Sequence, residues 1–414
     1  MLEAKFPYCC GIDVHKKSVT VYVIIPKAKG KGIKTHLKSF RTTTGSLREL
    51  AAWLGSLGVQ QVAMESTGVY WKPVYNILHS QFEVWVVNAR HLKQVPGRKT
   101  DVKDAQWIAQ LMRLGLLERS FIPDVEQRDL RDLTRYRTRL TQEKSRAANR
   151  VEKILEDANI KLSSFVSDIQ GVSARAMLAA MIGGEEDVEK LAEMARGRMR
   201  PKIPQLMEAL TGMVRDHHRF ILDELLTHID HLNERISKLN KQIREVTAKH
   251  EAIIERLDAI PGIDRHIAEV ILAEVGSNVD TFPTAKKLAA WACLCPGNNI
   301  SANKRRSGKT AKGQVWLKAA LVEAAHAASR AKATYLSAQF QRLKGRRGVK
   351  RAAVAVAHSI ITIVYHLLAD PQAEFKELGG DYFLKRNEGA VKRRAVNQLQ
   401  GLGFRVELQP IAAV

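Results

Sequence analysis

From Tyr8 to about Asn88 the hydrophobic pattern switches repeatedly between period two and period 3.6. Tyr8–Val14 and Val19–Ile25 read as two strands, and Gly30, Gly32 and Lys-rich turns separate them from a third, Thr35–Phe40. Thr44 or Ser46 can cap a helix running to about Leu57. Gln61–Met64 is a fourth strand, ending at Glu65. A short helix near Trp71–His79 follows, then a fifth strand, Glu83–Val87. After Asp101, the positions Ala105, Ile108, Ala109, Leu111 and Met112 repeat with helical spacing. The order βββαβαβα predicts an α/β domain built on a mixed five-stranded sheet.

Beyond Asp124 the pattern is helical. Leu130, Leu133, Leu140, Val151, Ile154 and Leu155 are the apolar positions of a charged helix reaching about Lys161. Leu222, Leu225, Ile229, Leu232, Ile236, Leu239, Ile243 and Val246 then follow steps of three and four. This is a coiled-coil seam, whose partner is a second subunit or the preceding helices; self-association is the favoured reading. Leu257–Ile263 followed by Ala268–Leu272 predicts helix, Pro-Gly turn, helix, a helix-hairpin-helix in which Gly262 and its neighbours offer backbone N–H groups to a phosphate. A plain αα-hairpin is the alternative. Ala352–Ala369 is nearly free of charge, but His358, Ser359 and His366 favour a buried core helix over a membrane span. The expected divisions are 1–120, 121–250, 251–370 and a tail, 371–414.

Charge narrows the function. The 414 residues contain 66 Lys and Arg against 43 Asp and Glu, a formal charge of +23. So large an excess predicts a polyanionic partner, nucleic acid ahead of a membrane surface. Arg128, Arg131, Arg135, Arg137, Arg139, Lys144, Arg146 and Arg150 crowd one helix, either as a solvated face or as a polyanion-binding one. The four cysteines have neither zinc-ligand nor disulfide spacing and are expected to be reduced. Lys5, Pro7 and Asp13 interrupt any leader-like apolar run, so a cytoplasmic protein at the nucleoid is expected.

The candidate chemistry lies in two clusters. Asp101 and Asp104, three apart at a helix start, share a face. Arg98, Lys99 and Lys103 could neutralise the pair as an ordinary surface feature. Asp13 and Glu65 change that balance, because they end the first and fourth strands, which can lie side by side in such a sheet. Four carboxylates meeting at one edge suit a two-metal site with Mg²⁺ ions roughly 3.5–4 Å apart. The second cluster is the loop Leu294–Gly313, which carries Ser301, Ser307, Lys304, Arg305, Arg306, Lys309 and Lys312. It suits a flexible arm lying along a nucleic-acid backbone, its serines being phosphate contacts or, with an activating base or metal, nucleophiles.

Taken together, the motifs Gly11-Ile12-Asp13-Val14-His15-Lys16, Met64-Glu65-Ser66-Thr67-Gly68 and Lys99-Thr100-Asp101-Val102-Lys103-Asp104-Ala105 resemble the DEDD-type transposases of bacterial insertion sequences, the bridge-RNA-guided recombinases. Ile260-Pro261-Gly262-Ile263, Leu294-Cys295-Pro296-Gly297-Asn298-Asn299, Ser301, Ser307-Gly308-Lys309-Thr310 and Gly380-Asp381-Tyr382-Phe383 extend the resemblance over nearly the whole chain. It implies a RuvC-like, ribonuclease-H-type N-terminal domain whose Asp13, Glu65, Asp101 and Asp104 bind Mg²⁺, with Mn²⁺ as substitute. It also implies a C-terminal transposase domain supplying Ser301 as nucleophile. Ala302-Asn303 stand where a more glycine-rich pair is expected, which leaves Ser307 as a second candidate. The implied partners are DNA (element ends and target), a structured non-coding guide RNA and further copies in a dimer or tetramer. Two competing readings keep only part of this: a RuvC-like nuclease or Holliday-junction resolvase using water, and a non-enzymatic nucleic-acid scaffold. An actin-like kinase on the same strand order lacks its Gly-rich phosphate loops.

Overall fold

The computed structural model describes residues 4–28, 32–88, 101–297, 299–301, 304–311, 313 and 315–409. The chain divides into two compact units, Met1–Ile122 and Pro123–Val414. The boundary falls after Ile122, two residues beyond the first division expected from the sequence.

In the first unit, β1 (Cys9–Val14), β2 (Ser18–Pro26) and β3 (Ile33–Arg41) form an antiparallel meander. After α1 (Thr44–Ser56) the chain enters β4 (Gln61–Glu65), and after α2 (Trp71–Leu78) it enters β5 (Glu83–Val87). Both later strands run parallel to β1, so the sheet order is β3-β2-β1-β4-β5. β1 is buried on both faces, which explains its unbroken apolar run. Alternate residues part to the two sides. Cys10, Ile12, Val14, Val62 and Met64 pack with Leu47, Leu50, Leu54, Val74 and Leu78 of α1 and α2. Cys9 and Ala63 face the other way, onto Ile108, Ala109, Leu111 and Met112 of α3 (Asp101–Arg113).

The second unit is mainly helical. α4 (Val125–Asp157) is followed by α5 (Val172–Ile182), α6 (Val188–Glu193) and α7 (Ile203–Leu210), then by the long α8 (Asp216–Thr247). α8 packs along α4. Leu222, Ile229, Leu232 and Ile243 of the seam are buried, whereas Leu225, Ile236, Leu239 and Val246 are half-buried. A helix of the same chain therefore takes up much of the stripe read from the sequence as a self-association surface.

α9 (Glu251–Asp258) and α10 (Arg265–Val275) flank the Pro-Gly turn. α11 (Ala285–Trp291) leads to β6 (Asn299–Ser301) and β7 (Lys304–Ser307), then to α12 (Val315–Ala328), α13 (Tyr335–Arg347) and α14 (Val349–Ala369). α14 is long and apolar enough to cross a membrane. Its Ala352, Val356, Ile360, Ile361 and Val364 are buried against neighbouring helices, as expected of a core helix. α15 (Tyr382–Arg386) and α16 (Glu388–Gly401) follow.

The basic helix α4 departs from its sequence reading. Arg135 donates bidentately to Glu274 of α10, Nε to Oε1 at 2.7 Å and a terminal nitrogen to Oε2 at 2.9 Å. Arg131 donates from Nε to the Ala273 carbonyl at 2.9 Å, and Arg137 pairs with Glu269. Arg137 and Glu269 are almost wholly buried, with 2% and 3% of their side chains exposed. Burial pushes the Arg131 guanidinium down to about 10 and lowers that of Arg137, while the facing glutamates oppose the shift. These three arginines bind α10 rather than nucleic acid. A charge count cannot separate the two uses.

Candidate active site in the first unit

β1 and β4 are in register up to Ile12 and Met64. Asp13 and Glu65 follow as the next pair of positions, at the carboxyl ends of adjacent parallel strands. By alternation they belong to the face of Cys9, Gly11 and Ala63, on which α3 lies. Past Glu65 the chain turns away, with Ser66 N–H donating to the Val87 carbonyl at 2.9 Å and Thr67 N–H to the Glu65 carbonyl at 2.8 Å.

Gly11 brings α3 down onto this edge. A Cβ there would lie 2.3 Å from the Ala105 carbonyl oxygen and 2.4 Å from the Ala109 nitrogen, so only glycine admits the helix backbone. One step back along the strand, the Cys9 thiol donates to the Ala109 carbonyl at 3.6 Å. Strand positions 9 and 11 thus meet helix positions 109 and 105. The helix runs opposite to β1, and its first turn, with Asp101 and Asp104, advances toward Asp13.

Asp13 is 8% exposed, and its Oδ2 lies 3.0 Å from Nε2 of His15. Glu65 and Asp104 are half-buried, and among the described residues neither forms an ion pair with Lys or Arg. Asp101 is the first residue of α3, and its side chain lies outside the described residues, as do Arg98 and Lys99. The donor set that these positions offer is hard carboxylate oxygen. It suits a hard divalent cation with retained waters better than a soft metal. His15 is the residue that sequence reasoning passed over. It lies two positions from Asp13, so the motif held the signal, but only the β1–β2 turn, closed by His15 N–H to the Ser18 carbonyl at 2.9 Å, folds its ring back.

The serine cluster lies in the second unit, where its described backbone pairs as two short antiparallel strands. β6 and β7 pair antiparallel, with Ser301 opposite Lys304 near the tip and Ser307 opposite Asn299. At its base, Gly297 N–H donates to the Lys309 carbonyl at 3.0 Å, and Lys318 of α12 donates to the Thr310 hydroxyl at 2.5 Å. The side chains of Ser301, Lys304, Arg305, Arg306 and Ser307, and all of Lys312, lie outside the described residues; Lys309 is exposed.

Gly262 has φ +91°, and a Cβ on it would lie 2.3 Å from the Ala324 carbonyl oxygen and 2.5 Å from the Ala328 nitrogen. The turn therefore packs on α12, which requires glycine independently of any phosphate. The Asp264 carboxylate caps α10 by accepting from Ile267 N–H at 2.9 Å, so an anion already occupies that helix start.

Among the described residues, one group has the composition of a metal site, Asp157, His217 and His218, with ligand atoms within 4.8 Å of one another. Its hydrogen bonds give it another role. The His218 Nδ1 accepts from Arg215 N–H at 3.2 Å, so Nε2 carries the proton and donates it to Asp157 at 2.8 Å. That bond holds the Asp157 carboxyl below its ordinary range. Both ring nitrogens are committed to joining the end of α4 to the start of α8.

The thiols are inert. Burial pushes the Cys9 thiol up to about 12 and the Cys10 thiol well above its ordinary value, so both are protonated small apolar groups.

A mixed sheet with acids at the ends of two neighbouring parallel strands, crossed by a helix bearing more acids, is the arrangement expected of a RuvC-like, DEDD-type domain. Residues 10–160 match the DEDD-type IS110 transposase model, described as a transposase. Residues 254–341 match the transposase IS116/IS110/IS902 family. A probable family 20 transposase of Pseudomonas aeruginosa is 25% identical over 74% of this chain and 83% of its own length. The transposase for insertion sequence element IS1111A of Coxiella burnetii is 25% identical over 76% of this chain and 79% of its own. The chain belongs to the IS110 family of insertion-sequence transposases, and it is a DNA transposase.

Proposed function

We propose that the protein cuts and rejoins DNA by transesterification, with Ser301 as nucleophile and Asp13, Glu65, Asp101 and Asp104 as ligands of Mg²⁺. The observation that carries the acidic half is the shared face and shared edge of Asp13, Glu65 and the first turn of α3, imposed by Gly11. The carboxylates hold the cation, and His15 orients Asp13 through its 3.0 Å contact. When bound, Mg²⁺ stabilises charge on the attacking and leaving oxygens. The Ser301 hydroxyl loses its proton and its oxygen bonds to phosphorus. A deoxyribose oxygen leaves and takes up a proton, and attack by another deoxyribose hydroxyl then releases the serine and joins the new ends. Phosphodiester bonds are conserved in number, so no external energy source is required. Ser301 rather than Ser307 follows from the family motif.

Guidance by a structured RNA is part of the same reading and rests on the family resemblance. Assembly of two or more copies is supported by the half-buried apolar positions of α8. Lys304, Arg305, Arg306, Lys309 and Lys312 beside the serine hairpin, and Gly262 at the helical turn, are proposed as backbone contacts.

In a cleavage assay on element-end DNA, Asp104→Asn should lower the rate about 10³-fold, since a metal site supplies several kcal/mol and each ~1.4 kcal/mol is tenfold. Ser301→Ala should abolish both cleavage and the covalent protein–DNA adduct seen on denaturing gels. A Ser301→Ala protein that still cleaves without an adduct would instead establish a water-using nuclease, and one that keeps the adduct would move the nucleophile to Ser307.

A further inference from the structure

A dense block of charge remains unused by this mechanism. From Ala324 to Ala369 there are eight Lys or Arg residues and no Asp or Glu. Five of the eight, Lys344, Arg346, Arg347, Lys350 and Arg351, fall where α13 turns into α14, and all five are exposed. The turn is the single residue Gly348, at φ +78°, with nothing within 4 Å of where a Cβ would stand. Among the described residues none of the five forms an ion pair.

Helix electrostatics account for only part of the block. Lys344, Arg346 and Arg347 occupy the last turn of α13, where cations complement the carbonyl end. Lys350 and Arg351 stand in the first turn of α14, where the helix end is itself positive and cations are disfavoured. Gly348 provides no side-chain cap, and the turn contains no acidic residue. The α14 N–H groups, two cations set against the helix dipole and three more from α13 thus converge on open solvent. Arg342, one turn earlier, has a different fate: its guanidinium lies 4.2 Å from the Phe383 ring centre, and that ring stacks on Tyr335. The tail is anchored there, and the corner beyond it is left bare.

We infer that the α13–α14 corner is a phosphate-backbone contact for double-stranded DNA, separate from the serine hairpin. The inference rests on the DNA-transposase reading. DNA is the partner that the family membership requires, and with one charge per ~1.7 Å of axis it is the polyanion that five exposed adjacent cations would neutralise. The contact reads no bases, because long flexible side chains around a helix end neutralise phosphates without fixing register.

The test uses the full-length protein and a 30-base-pair duplex of arbitrary sequence, with binding followed by fluorescence anisotropy between 50 and 200 mM salt. Lys350→Ala/Arg351→Ala should weaken binding several-fold. It should also lower the slope of log affinity against log salt by up to about 2, near 0.9 per lost phosphate contact. Its melting temperature should be unchanged or raised, since two cations leave a positive helix end; this separates lost contact from lost fold. Lys344→Ala/Arg346→Ala/Arg347→Ala should lower the slope by up to about 3. Slopes and affinities equal to wild type in both variants would overturn the assignment while leaving the DNA-transposase reading intact. Loss of binding to an RNA duplex alone, with DNA binding kept, would overturn it as well. A wild-type protein with no salt-dependent DNA binding would remove the reading on which it rests.

Discussion

Two sets of buried or half-buried carboxylates occupy this molecule, and their surroundings differ in kind. Glu269 and Glu274 on α10 each face an arginine of α4, with geometry good enough to be bidentate in one case. Asp13 and Glu65 stand at the ends of adjacent parallel strands, where His15 lies 3.0 Å from Asp13, and Asp104 stands in the first turn of the helix above them. Charges taken from water need compensation from somewhere. In the second unit the chain supplies it. In the first, the proposed metal ion would contribute to it. A carboxylate clasped by arginines of its own unit, like Glu274, speaks for packing, whereas acids brought to one edge by strand register speak for function.

The largest effect should come from breaking the paired set. Glu269→Ala leaves Arg137 buried and uncompensated, which should cost about 3–5 kcal/mol in urea unfolding. Arg137→Leu with Glu269→Leu should recover most of that loss, because the desolvation penalty goes with the charges. A double variant as unstable as the single one would mean that the arginine matters for its bonds to Asn240 and the His266 carbonyl instead.

A smaller loss is expected in the first unit. Gly11→Ala forces α3 off β1, an overpacking cost of about 1–3 kcal/mol. The telling readout is Mn²⁺ affinity by calorimetry, which should fall because the first turn of α3 moves relative to Asp13. Unchanged metal affinity in a folded Gly11→Ala protein would detach α3 from the site.

The smallest effect is acid sensitivity. Burial lowers the pKa of His266, which neighbours the Arg137–Glu269 pair, and that of His250, below 6.5. Below that value the unfolded chain binds protons that the folded one resists, so stability falls as pH drops through this window. Urea midpoints at pH 7.5 and 5.5 should lie closer together in His266→Gln than in wild type. An unaltered pH response would exclude His266 as a contributor.

Much of the first unit is legible in the chain itself. Strand alternation, turn residues and the terminal acids each leave a local pattern, and the two acids fall in register because β1 and β4 have similar lengths between recognisable ends. The register of helix on sheet is not legible. Gly11 looks like any strand glycine until Ala105 and Ala109 are seen above it. His15 has no visible role within its motif, since a two-residue separation does not say that a turn folds the ring back. The serine segment read as an arm because short basic strands with Gly nearby have no amphipathic signal to declare them.

The sequence by itself determined the alternation of elements, the positions of the four acids and the serine, and the net charge that calls for a polyanion, because all three depend on neighbours along the chain. Tertiary structure alone decided where each charge goes. Arg135 and Arg351 are the same residue type on helices of one unit, yet one is clasped by Glu274 and the other faces solvent at a helix start. An ion pair depends on distance through space and on exclusion of water, and neither quantity is written in the order of residues.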